Sequence, residues 1–201
     1  MTNGEAVREI INGRLDELNP TTREILEHIP EETVRKTYAK LRELGITKEK
    51  IASQAYLLGM NPETIQRNAN SLRELGLSNE KIATSAQLLG NNSETLQTNA
   101  EHLKQLGLSK EKIASNAHLL SMNPETIKRN AEHLKSLGLS KEKIATCAHL
   151  LAWNPETLQR NAENLRSIGL SYEKIATNAA LLNMNPETLQ TNADHLKQLV
   201  L

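Results

Sequence analysis

Basic side chains recur along this chain at a fixed interval. Arg42, Arg73, Lys104, Lys135, Arg166 and Lys197 stand 31 residues apart, and Lys50, Lys81, Lys112, Lys143 and Lys174 form a second column with the same spacing. Evenly placed cations can follow a phosphate backbone, because each neutralised phosphate releases a counterion and adds affinity. Acids lie close to the first column: Glu101, Glu132, Glu163 and Asp194 each precede its lysine or arginine by three residues, the spacing of solvated helix pairs. Phosphate contact and local pairing both stand as readings of these residues.

Variation inside a strict repeat is where a modular reader would hold specificity. Gln54, Ser85, Asn116, Cys147 and Asn178 share one repeat position, and most of these side chains can hydrogen-bond base edges, as in repeat proteins that read one base per unit. Tyr56, Gln87, His118, His149 and Ala180 form another variable column, and Met60, Asn91, Met122, Trp153 and Met184 a third. Trp153 can stack on a base or anchor a peptide, while the methionines around it fit packing between repeats. Arg67, Arg129 and Arg160 each follow a glutamate by four residues (Glu63, Glu125, Glu156), which predicts salt bridges on an outer face. The six histidines, with His102, His133 and His195 a whole repeat apart or more, show no metal-ligand spacing. No phosphate-binding glycine loop, nucleophile elbow or separate carboxylate pair is present, so the reading is noncatalytic, with no metal and no cofactor.

The elements that must carry these columns follow from the repeat itself. Asn-Pro-Glu-Thr begins at Asn61, Asn123, Asn154 and Asn185, with the variant Asn-Ser-Glu-Thr at Asn92. Asparagine is a good N-cap, proline suits the first helical position, and glutamate complements the positive helix end. In one copy Ile127, Ala131, Leu134 and Leu137 form an apolar stripe, and Gly138 ends the helix in a left-handed turn. Ser140 then caps a second helix whose apolar face is Ile144, Ala145, Ala148 and Leu151, widened by Leu150. Neither helix is long enough to persist alone in water, so each hairpin must bury its stripe against its neighbours. Alanines at Ala69, Ala100, Ala131, Ala162 and Ala193, and at Ala83, Ala114, Ala145 and Ala176, allow close backbone approach. Asn68, Asn99, Asn130, Asn161 and Asn192 lie inside the first helices, where asparagine is a poor helix former; an internal ladder bonded to the loop or backbone of the neighbouring repeat accounts for them.

The expected architecture is an all-α solenoid of about five 31-residue helical hairpins, with units starting near residues 30, 61, 92, 123, 154 and 185, the last incomplete. Residues 1–29 form an N-terminal cap of two short helices, Glu5 to Leu18 and a segment opened by Asn19-Pro20. Val200 stands where glycine is expected, and no polar cap is visible at that end, which could self-associate. With 24 basic and 24 acidic residues the net charge is zero, lacking the basic excess typical of nucleic-acid binders. Cys147 is the only cysteine, which excludes an internal disulfide, and no apolar run has the length of a membrane span or a signal core. A cytoplasmic location is the expectation.

The run Leu137-Gly138-Leu139-Ser140-Lys141-Glu142-Lys143-Ile144-Ala145, followed by Asn154-Pro155-Glu156-Thr157-Leu158 and Leu165 to Ser171, resembles the repeats of the mitochondrial transcription termination factor family. The resemblance recurs in every unit from about Leu41 onwards. It implies a curved solenoid that binds DNA or RNA along a concave basic face. Family units contain a short third helix opened by proline before a Leu pair, whereas Ala148-His149-Leu150-Leu151 runs on directly, so a two-helix unit is expected here. A protein-interaction scaffold and a consensus-like or engineered array without a ligand are the alternative readings.

Overall fold

The computed structural model describes residues 3–11 and 18–192. These fall into two compact units, residues 1–96 and 97–201, and every described element is helical. Asn192 is the last described residue; Ala193, His195, Lys197 and Val200 lie outside the described residues.

Each repeat opens on a thirteen-residue first helix: Glu31–Glu43 and Pro62–Glu74 in the first unit, Pro124–Ser136 and Pro155–Ser167 in the second, with Ser93–Gln105 beginning the copy between them. The asparagine caps act as expected. Asn61, Asn92, Asn123, Asn154 and Asn185 each accept from the backbone N–H two residues on, at 2.8–2.9 Å. At the other end Gly138 takes φ +89°, its N–H donates to Lys135 O at 2.9 Å, and Leu139 N–H donates to Leu134 O at 3.2 Å. That pattern of bonds is the Schellman ending, which needs a left-handed residue and so selects glycine. A Cβ on Gly138 would stand 3.8 Å from Ala176 Cβ, and one on Gly45 4.0 Å from Ala83 Cβ, so the second-helix alanines do meet the preceding unit's glycine turn.

The second helices are six residues long: Lys48–Ser53, Asn79–Thr84, Lys110–Ser115, Lys141–Thr146 and Tyr172–Thr177. Thr47, Ser78, Ser109, Ser140 and Ser171 cap them by accepting from the third N–H at 3.1–3.3 Å. Here the structure corrects the two-helix unit. Each second helix stops short, and a separate five-residue 3-10 helix follows: Ala55–Gly59, Ala86–Gly90, Ala117–Ser121, Ala148–Ala152 and Ala179–Asn183. The residue at the break has φ between −107° and −130° and ψ between 38° and 47°, off the helical region. Its carbonyl accepts the first 3-10 bond, as from Leu150 N–H to Cys147 O at 3.0 Å. The pattern Ala-x-Leu-Leu-x explains the change of helix type. With three residues per turn, positions one and four share a face, position three makes a second, and two and five share the third. Ala148, Leu150 and Leu151 are buried, while His149 and Ala152 are not. Two faces of the 3-10 turn are thereby wedged into the core.

The inner asparagines hold that wedge in place. Asn130 Nδ2 donates to Leu151 O at 2.7 Å and Trp153 O at 3.0 Å, and Asn68, Asn99 and Asn161 repeat the pattern 21 and 23 residues ahead. All four are at most 2% exposed. The ladder closes each unit on itself, not onto the next, because the carbonyls at the end of the 3-10 helix have no helical partner and lie beneath the first helix of their own repeat. In the divergent first copy Thr37 takes the place of asparagine, donating through Oγ1 to Met60 O at 2.7 Å. Asn68 alone among the four has its acceptor satisfied as well, by Ser93 Oγ at 2.7 Å; Asn99, Asn130 and Asn161 Oδ1 have no protein partner. Their copies are followed by Pro124, Pro155 and Pro186 where Ser93 stands, and proline has no hydroxyl to give.

At the N-terminus helices Asn3–Ile10 and Pro20–His28 pack onto the first copy, burying Val7, Ile10, Ile11 and Leu26. Asn19 caps the second of them through Thr22 N–H at 2.9 Å. Residues 12–17 of the expected first helix lie outside the described residues.

Replacing Asn130 by alanine strands two buried carbonyls and is expected to lower stability by about 2–3 kcal/mol, whereas Ser93→Ala strands a single oxygen and costs about 1 kcal/mol. Urea unfolding midpoints of the two variants rank them. Equal losses would remove the special weight given to the asparagine bridge.

Candidate nucleic-acid interface

The two basic columns differ in how far their charges are already engaged. The first sits in the last turn of the first helices, and every described member has a local partner. Lys104 pairs with Glu101 at 2.7 Å and Lys135 with Glu132 at 2.8 Å. Arg42 Nη1 donates to Ile46 O at 2.9 Å, and Arg73 donates to Asn79 Oδ1 and Asn70 Oδ1, both at 2.8 Å. Arg166 does not pair with Glu163, whose carboxylate accepts from Gln159 Nε2 at 2.9 Å; its guanidinium carbon lies 4.5 Å from the centre of the Tyr172 ring. Lys197 lies outside the described residues.

The second column occupies the third position of each second helix. Lys112 and Lys174 are exposed, Lys50, Lys81 and Lys143 half-exposed, and among the described residues none of the five ammonium groups has an ion pair. A lysine this close to a helix N-terminus opposes the dipole and gains nothing from the helix it sits on. Sequence reading passed over a neighbouring set, Lys48, Lys110 and Lys141, at the first position of the same helices, also without ion pairs among the described residues. With the intervening glutamate, those three second helices carry a net positive charge, whereas the second helices opened by Asn79 and Tyr172 are balanced.

The same groove recurs in both units beside these lysines. In the first it holds 460 Å³ between Gly45, Thr47 and Lys50 of one copy and Asn79, Ala83 and Thr84 of the next. In the second it holds 560 Å³ between Gly138, Ser140 and Lys143 and Tyr172, Ala176 and Thr177. The groove exists because glycine and alanine face each other across it and leave the lysine, the cap hydroxyl and glutamates (Glu80 in the first, Glu142 and Glu173 in the second) as its rim.

The specificity candidates are placed unevenly. Asn116 and Asn178 turn their Nδ2 groups back to Lys112 O at 2.9 Å and Lys174 O at 3.0 Å, capping their own helix. Gln54 Nε2 donates to Gln87 Oε1 of the next copy at 3.2 Å, and Ser85 is half-buried. Cys147 is 9% exposed and belongs to the core, so it presents no edge to a ligand; a thiol is apolar enough to join the Leu150 cluster. Trp153 is half-buried, its carbonyl held by Asn130. In the second variable column Tyr56, His118 and Ala180 are exposed, and two members also touch the next copy: a Cβ on Gly90 would stand 2.8 Å from Tyr56 Cε2, and His149 Nε2 lies 3.0 Å from Asn183 Nδ2. The expected outer-face salt bridges are also absent among the described residues: Arg67, Arg129 and Arg160 are exposed and have no ion pair, although Arg35–Glu31 and Lys36–Glu32 form at the same spacing in the first copy.

The fold and this arrangement define a helical-repeat protein whose units each combine two α-helices with a 3-10 turn. The sequence model of the mTERF family matches residues 20–199, and the chain belongs to that family. No curated protein matches it. Among the described residues no helix is long and apolar enough to cross a membrane.

The glutamates between the lysines stay ionised. Glu142 is held below its ordinary range by its own backbone N–H and then by the Ser140 hydroxyl, and Glu111 by the Ser109 hydroxyl and then its own N–H. A carboxyl lowered on folding adds stability above its unfolded value of about 4.5 and loses it as pH falls through the folded one. Carbon-13 NMR titration of Ser140→Ala is expected to move Glu142 upward toward that value while Glu111 stays put.

Proposed function

We propose that the chain binds nucleic acid through the lysines at the third position of its second helices. The observation that carries the reading is the contrast between the two columns: Lys50, Lys81, Lys112, Lys143 and Lys174 have no ion pair among the described residues, whereas Lys104 and Lys135 are paired to glutamates. Lys48, Lys110 and Lys141 reinforce the same edge. Zero net charge is compatible with this, because the acids that balance the chain are spent in part on the first column and affinity for phosphate depends on the charges at the contact. Membership of a family of helical-repeat proteins associated with nucleic acid supports the reading. Gln54, Ser85, Asn116 and Asn178 remain candidates for modulating preference, acting beside the lysines from the helix ends.

Fluorescence anisotropy with random single-stranded RNA, single-stranded DNA and duplex DNA, at low and moderate salt, tests it. Replacing Lys81, Lys112 and Lys143 by glutamine is expected to reduce the salt slope by about 0.7 per lysine on single strands and about 0.9 on duplex. The double variant Lys104→Gln, Lys135→Gln is expected to leave it unchanged. Absence of binding by the wild-type chain at low salt overturns the proposal and turns attention to a protein partner.

A further inference from the structure

We infer that the first residue of each second helix selects what its groove accepts, and that the groove carrying Tyr172 takes an unstacked base, giving the chain a preference for single-stranded nucleic acid. The inference rests on the nucleic-acid reading above and adds the form of the ligand. This position holds Lys48, Asn79, Lys110, Lys141 and Tyr172, and it differs between copies that are otherwise nearly identical. Asn79 and Tyr172 line the two equivalent grooves. Lys141 reaches the same place: its Cε lies 3.6 Å from where a Cβ on Gly107 would stand, so its stem crosses the preceding glycine turn.

In four of the five copies the last-turn residue of the first helix matches the choice; in the first, Arg42 donates to Ile46 O instead and the groove residue is Lys48. Where that residue is Arg73 or Arg166, the groove residue is Asn79 or Tyr172, hydrogen-bonded to the guanidinium or lying beneath it. Where it is Lys104 or Lys135, it turns away to its glutamate and the groove residue is Lys110 or Lys141. The arginines therefore act as positioning residues, and the side chains they hold are the polar or aromatic ones.

Tyr172 is a large apolar side chain 39% exposed, which a packing role does not require. Arg166 covers one face of the ring, and the groove it borders has room for a planar ring beside Lys143. A base stacked on the groove-side face would complete a guanidinium–ring–base stack, with Lys143 placed for the adjoining phosphate. Bases in a duplex are already stacked and cannot enter, so the aromatic groove favours single strands, whereas the lysine grooves contact phosphate in either form. Asn79, with an amide in the equivalent place, offers hydrogen bonds without a stacking surface.

Anisotropy of the full chain with single-stranded and duplex oligonucleotides of equal length separates these contributions. Tyr172→Ala is expected to weaken single-strand binding at least about fivefold, the lower end for loss of one stacked base, with the salt slope and duplex affinity unchanged. Tyr172→Phe is expected to retain wild-type affinity, since the ring and not the hydroxyl makes the contact. Asn79→Tyr, which installs a ring in the first groove, should strengthen single-strand binding. Equal weakening on both forms in Tyr172→Ala, or no change on single strands, overturns the inference while leaving nucleic-acid binding intact. No binding by the wild-type chain on any form overturns both.

Discussion

A buried carboxamide holds four of the repeats together, and the Thr37 hydroxyl stands in for it in the first. The 3-10 turn that carries the two core leucines ends with carbonyls facing inward, where water does not reach them, and a polar group left alone there costs more than most contacts return. Asparagine on the first helix spans the gap with both hydrogens of one amide, so its poor helix propensity is outweighed by two bonds that nothing else in the repeat can supply. Once those bonds fix the 3-10 turn, the leucines, the glycine turn and the second-helix alanine all have defined positions. The grooves beside the lysines follow from the same geometry.

The two basic columns show how position on a helix decides what a charge is free to do. Late in a thirteen-residue helix, a lysine has a glutamate one turn behind it and a favourable helix end, so it settles locally. At the start of a six-residue helix it has neither. A chain with no net charge can therefore present ammonium groups without ion pairs at regular intervals, even with a glutamate beside each in sequence. The mTERF family match is consistent with such an arrangement of repeats, and the chemistry at the grooves is this chain's own.

Features governed by local rules were legible in the sequence. Asn-Pro-Glu-Thr, with its serine variant at Asn92, marked the first-helix starts from Asn61 onward, the glycines marked the ends, and Ser140 and its counterparts marked the second helices, because caps and left-handed turns depend on a few adjacent residues. The 3-10 turn was not recognised because Ile144, Ala148 and Leu151 also fit a continuous α-helical stripe; reading Ala-x-Leu-Leu-x with a period of three was the available signal. Arg67 with Glu63 had the same spacing as Arg35 with Glu31, yet only the latter pair forms, because an exposed pair gains so little that spacing alone does not decide it. Arg166 had two possible partners, Glu163 and Tyr172, and sequence spacing could not rank a carboxylate already taken by Gln159 below an aromatic ring. The bond from Ser93 to Asn68 crosses 25 residues and becomes visible only when both helices are in place.

The contact between the second position of one 3-10 turn and the fifth position of the next has a further consequence. Tyr56 lies across Gly90, where even a methyl group would collide, whereas His149 meets Asn183 through a hydrogen bond. At these two junctions a copy is thus fitted to its successor, like cut keys in adjacent locks. Although the copies look interchangeable when aligned, they are not: moving the one that ends in Asn183 behind the one that carries Tyr56 would set an amide against an aromatic ring with no space between them. The array carries a built-in serial order, and lengthening it by duplicating a copy would succeed only at junctions where the duplicated pair of side chains can tolerate each other.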